Sequence, residues 1–343
     1  MISNHSHRKD EHVSLAEKFY QPNSFFDAVR FIPNGLPKTS LNQIDISTTA
    51  GRLQFETPFY IEAMSGGSPR TKDINRRLAE IAKETGLAMA VGSQSVGLSD
   101  PSVSDSFTIV REVNPSGLIF ANIGANHNAD DAKRAVDQLK ANALELHINA
   151  AQELVMPEGD RTFSFINHIE SIVKAVNVPV IVKEVGFGMS QDIIKELQEL
   201  GVQYINVSGR GGTNFATIEN FRRPDKEMTY LENWGLTTVE SLLESRPFQK
   251  HMTVFASGGI QSPMAVAKSL ALGASAVGVA GYFLHALIHQ KDEAVISDIN
   301  NWKYGLKAIM VMLNCQTIAD LQKQKLILKP ELRDYLKQRQ IDY

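Results

Sequence analysis

From Pro58 onward, short and nearly unbroken apolar runs alternate with longer stretches whose apolar residues return every three or four positions. The first pattern belongs to a strand buried on both faces, the second to an amphipathic helix. Strands are predicted over 59–64, 87–91, 118–122, 143–148, 180–185 and 204–207. Two more lie in TVFASGGIQSPMAVAKSLALGASAVGVAGYFL at 253–284, which reads strand, glycine turn, helix, strand, glycine turn, helix. Helices are predicted over 71–84, 103–113, 130–140, 165–176 and 191–200. Ile74, Leu78, Ile81 and Ala82 form one inward face, as do Ala132, Ala135, Val136 and Leu139, and Ile193, Ile194, Leu197 and Leu200. Eight such strand–helix units in series predict an α/β fold, a closed (β/α)8 TIM barrel.

The first 57 residues break the pattern. Arg8-Lys9-Asp10-Glu11-His12 opens a short predicted helix that reaches to about Phe19, and a loop with Pro22, Pro33, Gly35 and Pro37 follows. Two alternating runs at 44–47 and 53–55, around Ala50-Gly51, read as a hairpin able to plug the base of a barrel. No Pro/Ser-rich linker separates the parts. The chain therefore reads as an N-terminal extension, 1–57, on a barrel with C-terminal helices, 58–343, in one domain.

Composition narrows the function classes. Of the 343 residues 43% are hydrophobic and 21% charged, enough for a substantial core. A net charge of −3 argues against a general nucleic-acid or membrane-surface partner, while leaving room for a local basic cluster that binds a small anion. Cys315 is the single cysteine, so an internal disulfide or CxxC metal site is excluded, and a reducing cytoplasm is the expected compartment. The N-terminus MISNHSHRKDEHV is polar rather than signal-like, and no apolar run is long enough to span a bilayer.

The chemistry collects where each strand runs out. Small or polar residues follow every barrel strand: Ala63-Met64-Ser65-Gly66-Gly67, Gly92-Ser93-Gln94, Asn122-Ile123-Gly124-Ala125 and His147-Ile148-Asn149, with Gln152-Glu153 beyond. Lys183-Glu184 and then Gly186 end the fifth strand, and Ser208-Gly209-Arg210-Gly211-Gly212-Thr213-Asn214 end the sixth. A TIM barrel carries its active site on this face. Gly258-Gly259 and Ala280-Gly281 close the last two strands, where paired backbone N–H groups at helix starts suit a phosphate; the bland reading is a pair of tight turns.

Individual residues leave two readings each. Lys183 sits inside the apolar run PVIVKEV, so it either meets an anion or cofactor or pairs with Glu184. The loop 209–212 is either a flexible connection or, with Thr213 and Asn214, a set of donors for an oxygen-rich ligand. Arg8-Lys9 reads on its own as a solvated basic helix start. His147 and Asn149 alternate along one strand and point the same way, as core or as ligand contacts. Gln152 offers a neutral amide beside the hard oxygen of Glu153, and magnesium needs only one or two protein carboxylates when a substrate supplies phosphate oxygens. The Walker A, HExxH and GxSxG motifs are absent, Gly186-Phe187-Gly188 lacks the third glycine of a dinucleotide fingerprint, and no cysteine lies in the loop after the sixth strand.

RKDEH at 8–12, AMSGG at 63–67, GSQ at 92–94, NIGA at 122–125, HIN at 147–149, QE at 152–153, VKEVGFG at 182–188, VSGRGGTNF at 207–215, SGGI at 257–260 and AGYFL at 280–284 together resemble type 2 isopentenyl diphosphate isomerase. The resemblance spans nearly the whole chain. It implies an FMN-dependent barrel that interconverts isopentenyl and dimethylallyl diphosphate, with magnesium and with flavin reduced by NADPH. FMN would meet Ala63, Met64, Ser65, Ser93, Asn122, Lys183, Ser208, Thr213, Gly258, Gly259, Ala280 and Gly281. Arg8 and Lys9 would hold the diphosphate, His147, Asn149 and Gln152 would line the reacting end, and Glu153 would bind magnesium. The resemblance also implies a homo-oligomer, a tetramer or octamer. Three positions depart from the family: Ser65 for a common Thr, Asn206 for a common Asp, and Ser95 where Arg usually follows GSQ. Rival readings are an FMN barrel oxidoreductase of the hydroxy-acid oxidase kind, or a non-catalytic flavin- or phosphate-binding barrel.

Overall fold

The computed structural model describes residues 4–21 and 25–343. Its centre is a closed barrel of eight parallel strands. In chain order the barrel strands are Phe59–Ile61, Met89–Ala90, Ile119–Gly124, Ala143–His147, Val180–Lys183, Tyr204–Asn206, Thr253–Ala256 and Ala276–Val279. Each pairs with its sequence neighbours, and the eighth closes on the first through Val277 opposite Phe59. Nearly every strand residue is buried, as expected of strands packed on both faces.

The interior of the barrel is filled from below. Tyr60, Phe120, Tyr204 and Phe255 point inward and pack with Ala50, Leu53 and Phe55 of a hairpin. That hairpin joins Thr48–Ala50 to Leu53–Phe55, so its first arm begins later than the predicted 44–47. Asp45 accepts a hydrogen bond from the Ser47 amide at 2.8 Å, which turns the chain there, and Ile44 and Ile46 go instead to the outer core.

Several predicted elements change on folding. The helix expected at 103–113 runs over Asp105–Val113, and an unexpected short helix, Ser95–Ser99, precedes it; a turn at Pro101–Val103 separates the two, because Pro101 has no amide to donate and Asp100 accepts from Ser102 instead. Ile193 is exposed on the helix Gln191–Glu199, while Ile194 and Leu197 are buried. Adjacent helical residues lie about 100° apart, so one of the two must face solvent. The loop around Pro33 contains the strand Val29–Phe31, which pairs antiparallel with Leu326–Leu328; Pro22 lies outside the described residues. The 21-residue helix Asp292–Met312 packs against the helices Pro69–Thr85 and Pro263–Ala271. No helix among the described residues is long and apolar enough to cross a membrane.

Candidate active site

A cleft of about 430 Å³ opens at the C-terminal ends of the barrel strands. On one side its wall is backbone. Gly258 and Gly259 take φ of 93° and 73°, a region that side chains disfavour. A Cβ on Gly258 would lie 2.0 Å from the Gly209 carbonyl oxygen, and one on Gly259 would lie 2.7 Å from that of Gly211. Only glycine lets these two loops touch. The helix Gly281–His289 begins alongside, with Thr213 opposite Gly281. Among the described residues the amides of Gly258, Gly259 and Gly281 find no protein acceptor. Unpaired N–H groups beside a helix start suit the phosphate of a cofactor such as FMN.

The floor is a buried polar network that the barrel strands point inward. Tyr60 donates to Glu62 at 3.0 Å, and Asn206 donates to Glu62 at 2.8 Å and to the Tyr60 oxygen at 3.2 Å. Asn122 donates to Glu145 at 3.0 Å and faces His147 Nδ1 at 2.9 Å. The Lys183 ammonium stands 3.8 Å from Glu62 and donates to the Glu184 carbonyl at 3.2 Å. Its charge partner is therefore Glu62; the Glu184 carboxylate is taken by the amides of Val185 and Phe187.

Two carboxylates in one dry site do not both ionise. Burial, and then the charge of Glu62, hold the Glu145 carboxyl well above the usual range, so it stays neutral. Burial pushes Glu62 the same way, but Lys183 and hydrogen bonds from Glu145, the Ala63 amide and Tyr60 outweigh it, and Glu62 stays ionised. Burial, with Lys183 and Lys9 nearby, lowers His147 to about 3. The imidazole is neutral at physiological pH. Because the Asn122 amide nitrogen is committed to Glu145, its oxygen faces His147, which puts the imidazole proton on Nδ1 and leaves Nε2 as an acceptor.

Asn206 also explains its own amide. Its oxygen accepts from the Ser208 amide at 3.2 Å and from Ser257 at 3.0 Å while its nitrogen serves Glu62 and Tyr60. An ionised Asp there would offer Glu62 no donor. Ser208 in turn takes φ of 28°, held by its own amide bond and by the Gly186 and Gly188 amides on its carbonyl.

The opposite wall is made of side chains. The N-terminal helix Asn4–Lys18 lies over the cleft mouth and brings in Arg8, Lys9 and His12. Glu219 is fully buried; it accepts from Gln152 at 2.9 Å and from Arg222 at 2.7 Å, and lies 3.0 Å from His12. Burial opposes its charge, yet these partners bring its carboxyl down to about 2. Arg222 also pairs with Glu11 at 2.8 Å and Glu158 at 2.7 Å, and Arg8 approaches Glu158 at 3.6 Å. Desolvation, with Arg8 alongside, lowers the half-buried Lys9 to about 8.

Asn214, expected beside Thr213 as a ligand donor, does not line the cleft and donates instead to the Glu232 carbonyl at 2.6 Å. The residues that the resemblance assigns to FMN, substrate or magnesium all line this one cleft: Arg8, Lys9, Ala63, Met64, Ser65, Ser93, Asn122, His147, Asn149, Gln152, Glu153, Lys183, Ser208, Thr213, Gly258, Gly259, Ala280 and Gly281. Asn149 does so differently from its expected place on a strand. The strand ends at His147, and Asn149 opens the helix Ala150–Val155, which presents Gln152 and Glu153. Glu153 accepts from Asn149 at 2.9 Å and from the Asp160 amide at 2.8 Å. Sequence reasoning passed over Glu62, Glu145 and Glu219. The first two carried the signal that flagged Lys183, a charge inside an apolar strand (YIEAM and ALELH). Glu219 gave none, since a charged residue in a short helix is ordinary.

The fold and the glycine cradle define a flavin-type α/β barrel enzyme, and the comparisons agree. The family model of FMN-dependent dehydrogenase matches residues 112–328. Solved structures of flavocytochrome b2 variants share the fold, one with a TM-score of 0.64 over 97% of this chain and 81% of that one, at 20% identity. A mandelate oxidase mutant gives 0.61 at 15% identity, over 93% of this chain and 92% of that one. The isopentenyl-diphosphate delta-isomerase of Latilactobacillus sakei is 50% identical over 338 residues, 98% of this chain and 97% of that protein. That of Staphylococcus haemolyticus is 48% identical over 337 residues, with the same coverage. The chain belongs to the isopentenyl-diphosphate delta-isomerase family, in its FMN-dependent form.

Proposed function

We propose that the protein interconverts isopentenyl and dimethylallyl diphosphate with bound, reduced FMN, magnesium at Glu153, and NADPH as the reductant. The observation that carries this reading is the two-sided cleft, with a backbone cradle and Lys183 on the flavin side and a basic helix carrying Arg8 and Lys9 on the other. Moving a double bond by one position adds a proton at one carbon and removes one from another. Reduced FMN supplies that proton exchange when bound, with no net redox change.

The chain's own residues hold and orient. Gly258, Gly259 and Gly281 take the cofactor phosphate, and Ala63, Met64, Ser65, Ser93, Asn122, Ser208, Thr213 and Ala280 line its bed. Lys183, paired with Glu62, gives the floor a positive charge suited to an electron-rich ring. Arg8 and Lys9 neutralise the diphosphate, and Glu153 would hold magnesium, which would add positive charge there. Neutral His147, with Asn149 and Gln152, borders the reacting end without presenting a charge to the alkene. Gln152 is fixed by Glu219 and so meets the substrate in one orientation. The N-terminal helix keeps water from the closed site. The reading is of a cytoplasmic enzyme with a small-molecule substrate, no nucleic-acid or membrane partner, and a tetrameric or octameric assembly.

An anaerobic assay with isopentenyl diphosphate tests it. Turnover is expected with reduced FMN and magnesium, while oxidised FMN gives none. Equal turnover with oxidised flavin, or flavin reduced in step with substrate consumption, would establish the oxidoreductase reading instead.

A further inference from the structure

Outside the cleft, three potential metal ligands converge where the N-terminal helix meets the barrel. His285 and His289 lie one turn apart on the helix Gly281–His289, and Glu17 reaches them from the helix Asn4–Lys18. Glu17 Oε1 stands 2.7 Å from His285 Nδ1 and 2.7 Å from His289 Nε2. The three ligand atoms all lie within 4.8 Å of one another. None of the three residues lines the cleft.

We infer that Glu17, His285 and His289 form a site for a divalent transition ion of the zinc type, which pins the N-terminal helix to the barrel. Histidines at i and i+4 present two nitrogens on one helix face, the spacing that chelates zinc. A carboxylate from a second element completes a His2Glu set and leaves a fourth position for water. Zn–N and Zn–O bonds of about 2.0–2.2 Å set ligand atoms roughly 3.3 Å apart in a tetrahedron. The Glu17 oxygen stands about half an ångström inside that spacing from each nitrogen, and the three ligand atoms lie within 4.8 Å, so small side-chain shifts bring all three to it. The His285 ring is already held, stacked on Tyr20 at 4.3 Å between centroids and 11° between planes. Nitrogen donors favour zinc, cobalt or nickel over magnesium, so this site is chemically separate from one at Glu153.

The consequence is mechanical. The same helix carries Arg8 and Lys9 over the cleft, and the chelate joins it to residues far along the chain. Metal at this site therefore restrains the helix that closes the cleft.

The test uses the full-length, untagged protein stripped with a chelator, with zinc titrated against a chromophoric competitor. One equivalent is expected to bind, and His289→Gln and Glu17→Gln should each weaken it at least tenfold. His251→Gln, an exposed histidine elsewhere, should leave the affinity unchanged. Amide hydrogen exchange in the N-terminal helix should slow with zinc in the parent and in His251→Gln, but not in His289→Gln. Because the readouts are binding and exchange, failure here is distinguishable from failure of the isomerase reading. The inference is overturned if no stoichiometric zinc binds, if His251→Gln loses it equally, or if magnesium displaces it. Zinc binding without slower exchange removes the pinning role.

Discussion

The two walls of the cleft are built from different material. On the side of the seventh and eighth strands the surface is backbone, shaped by glycines at positions where no side chain fits. On the side of the N-terminal helix it is a mesh of side chains in which Glu219 and Arg222 each serve several partners. A backbone cradle is set by local conformation and costs little entropy to hold. A side-chain mesh depends on elements more than a hundred residues apart meeting correctly. The first suits a resident cofactor, the second a substrate that enters and leaves.

The largest expected effect comes from breaking the backbone wall. Gly258→Ala places a methyl group against the Gly209 carbonyl and forces a positive φ on a side-chain residue. Strain of this kind is worth about 1–3 kcal/mol, and displaced amides would add to it. FMN affinity should fall roughly a hundredfold. Flavin fluorescence titration reads this, and circular dichroism establishes that the barrel has folded. Unchanged affinity would remove the cradle from the proposed phosphate site.

The same contrast decides what could be read from the sequence. Gly258-Gly259, the Gly209–Gly212 loop and the alternating apolar runs are local signals, and they located the barrel, the end at which the cleft opens and one wall of it. The Val29–Phe31 strand was not legible, because three residues carry too little period and their partner lies near the other end of the chain. Glu219 was not legible either. Its importance comes from burial and from partners on the N-terminal helix, neither of which its neighbours in sequence reveal. Glu62 and Glu145 lie between these cases. A charged residue in an apolar strand marked them, but only the closed barrel shows that one is ionised and the other neutral.

The side-chain wall should reveal itself through pH. Burial and Arg8 bring Lys9 to about 8, so the proposed diphosphate grip is charged below that pH and lost above it. The ratio kcat/KM should fall by up to about tenfold per pH unit on the alkaline side. Lys9→Arg should remove that limb, since a guanidinium stays protonated. Stability runs the other way. Below about pH 8 the folded protein bears the full cost of the desolvated ammonium, and the cost is relieved between about 8 and the ordinary value of 10.5. The stability gap between the parent and Lys9→Met should therefore narrow over that window. A kcat/KM profile identical in the parent and Lys9→Arg would take Lys9 out of the grip.

The smallest effect concerns the position where the family's arginine is missing. Ser95 begins a short helix at the cleft and is not idle: its hydroxyl lies 2.8 Å from His127 Nε2 and 2.8 Å from Ser93 Oγ. Asp131 holds the other nitrogen of His127 at 3.0 Å. Both Ser95 and His127 line the cleft, and in the proposed reading His127 takes the place of the missing arginine. Ser95→Arg would add a charge-assisted contact of about 1.5–3 kcal/mol but would break the hydrogen bonds to His127 and Ser93. The net fall in KM for isopentenyl diphosphate should be about fivefold, with kcat little changed, because a contact made equally in ground and transition states alters binding alone. His127→Ala should raise KM by a similar factor. If the two positions share one role, the gain from Ser95→Arg will be larger when His127 is already Ala. Equal gains in both backgrounds would mean that His127 does not stand in for the missing arginine.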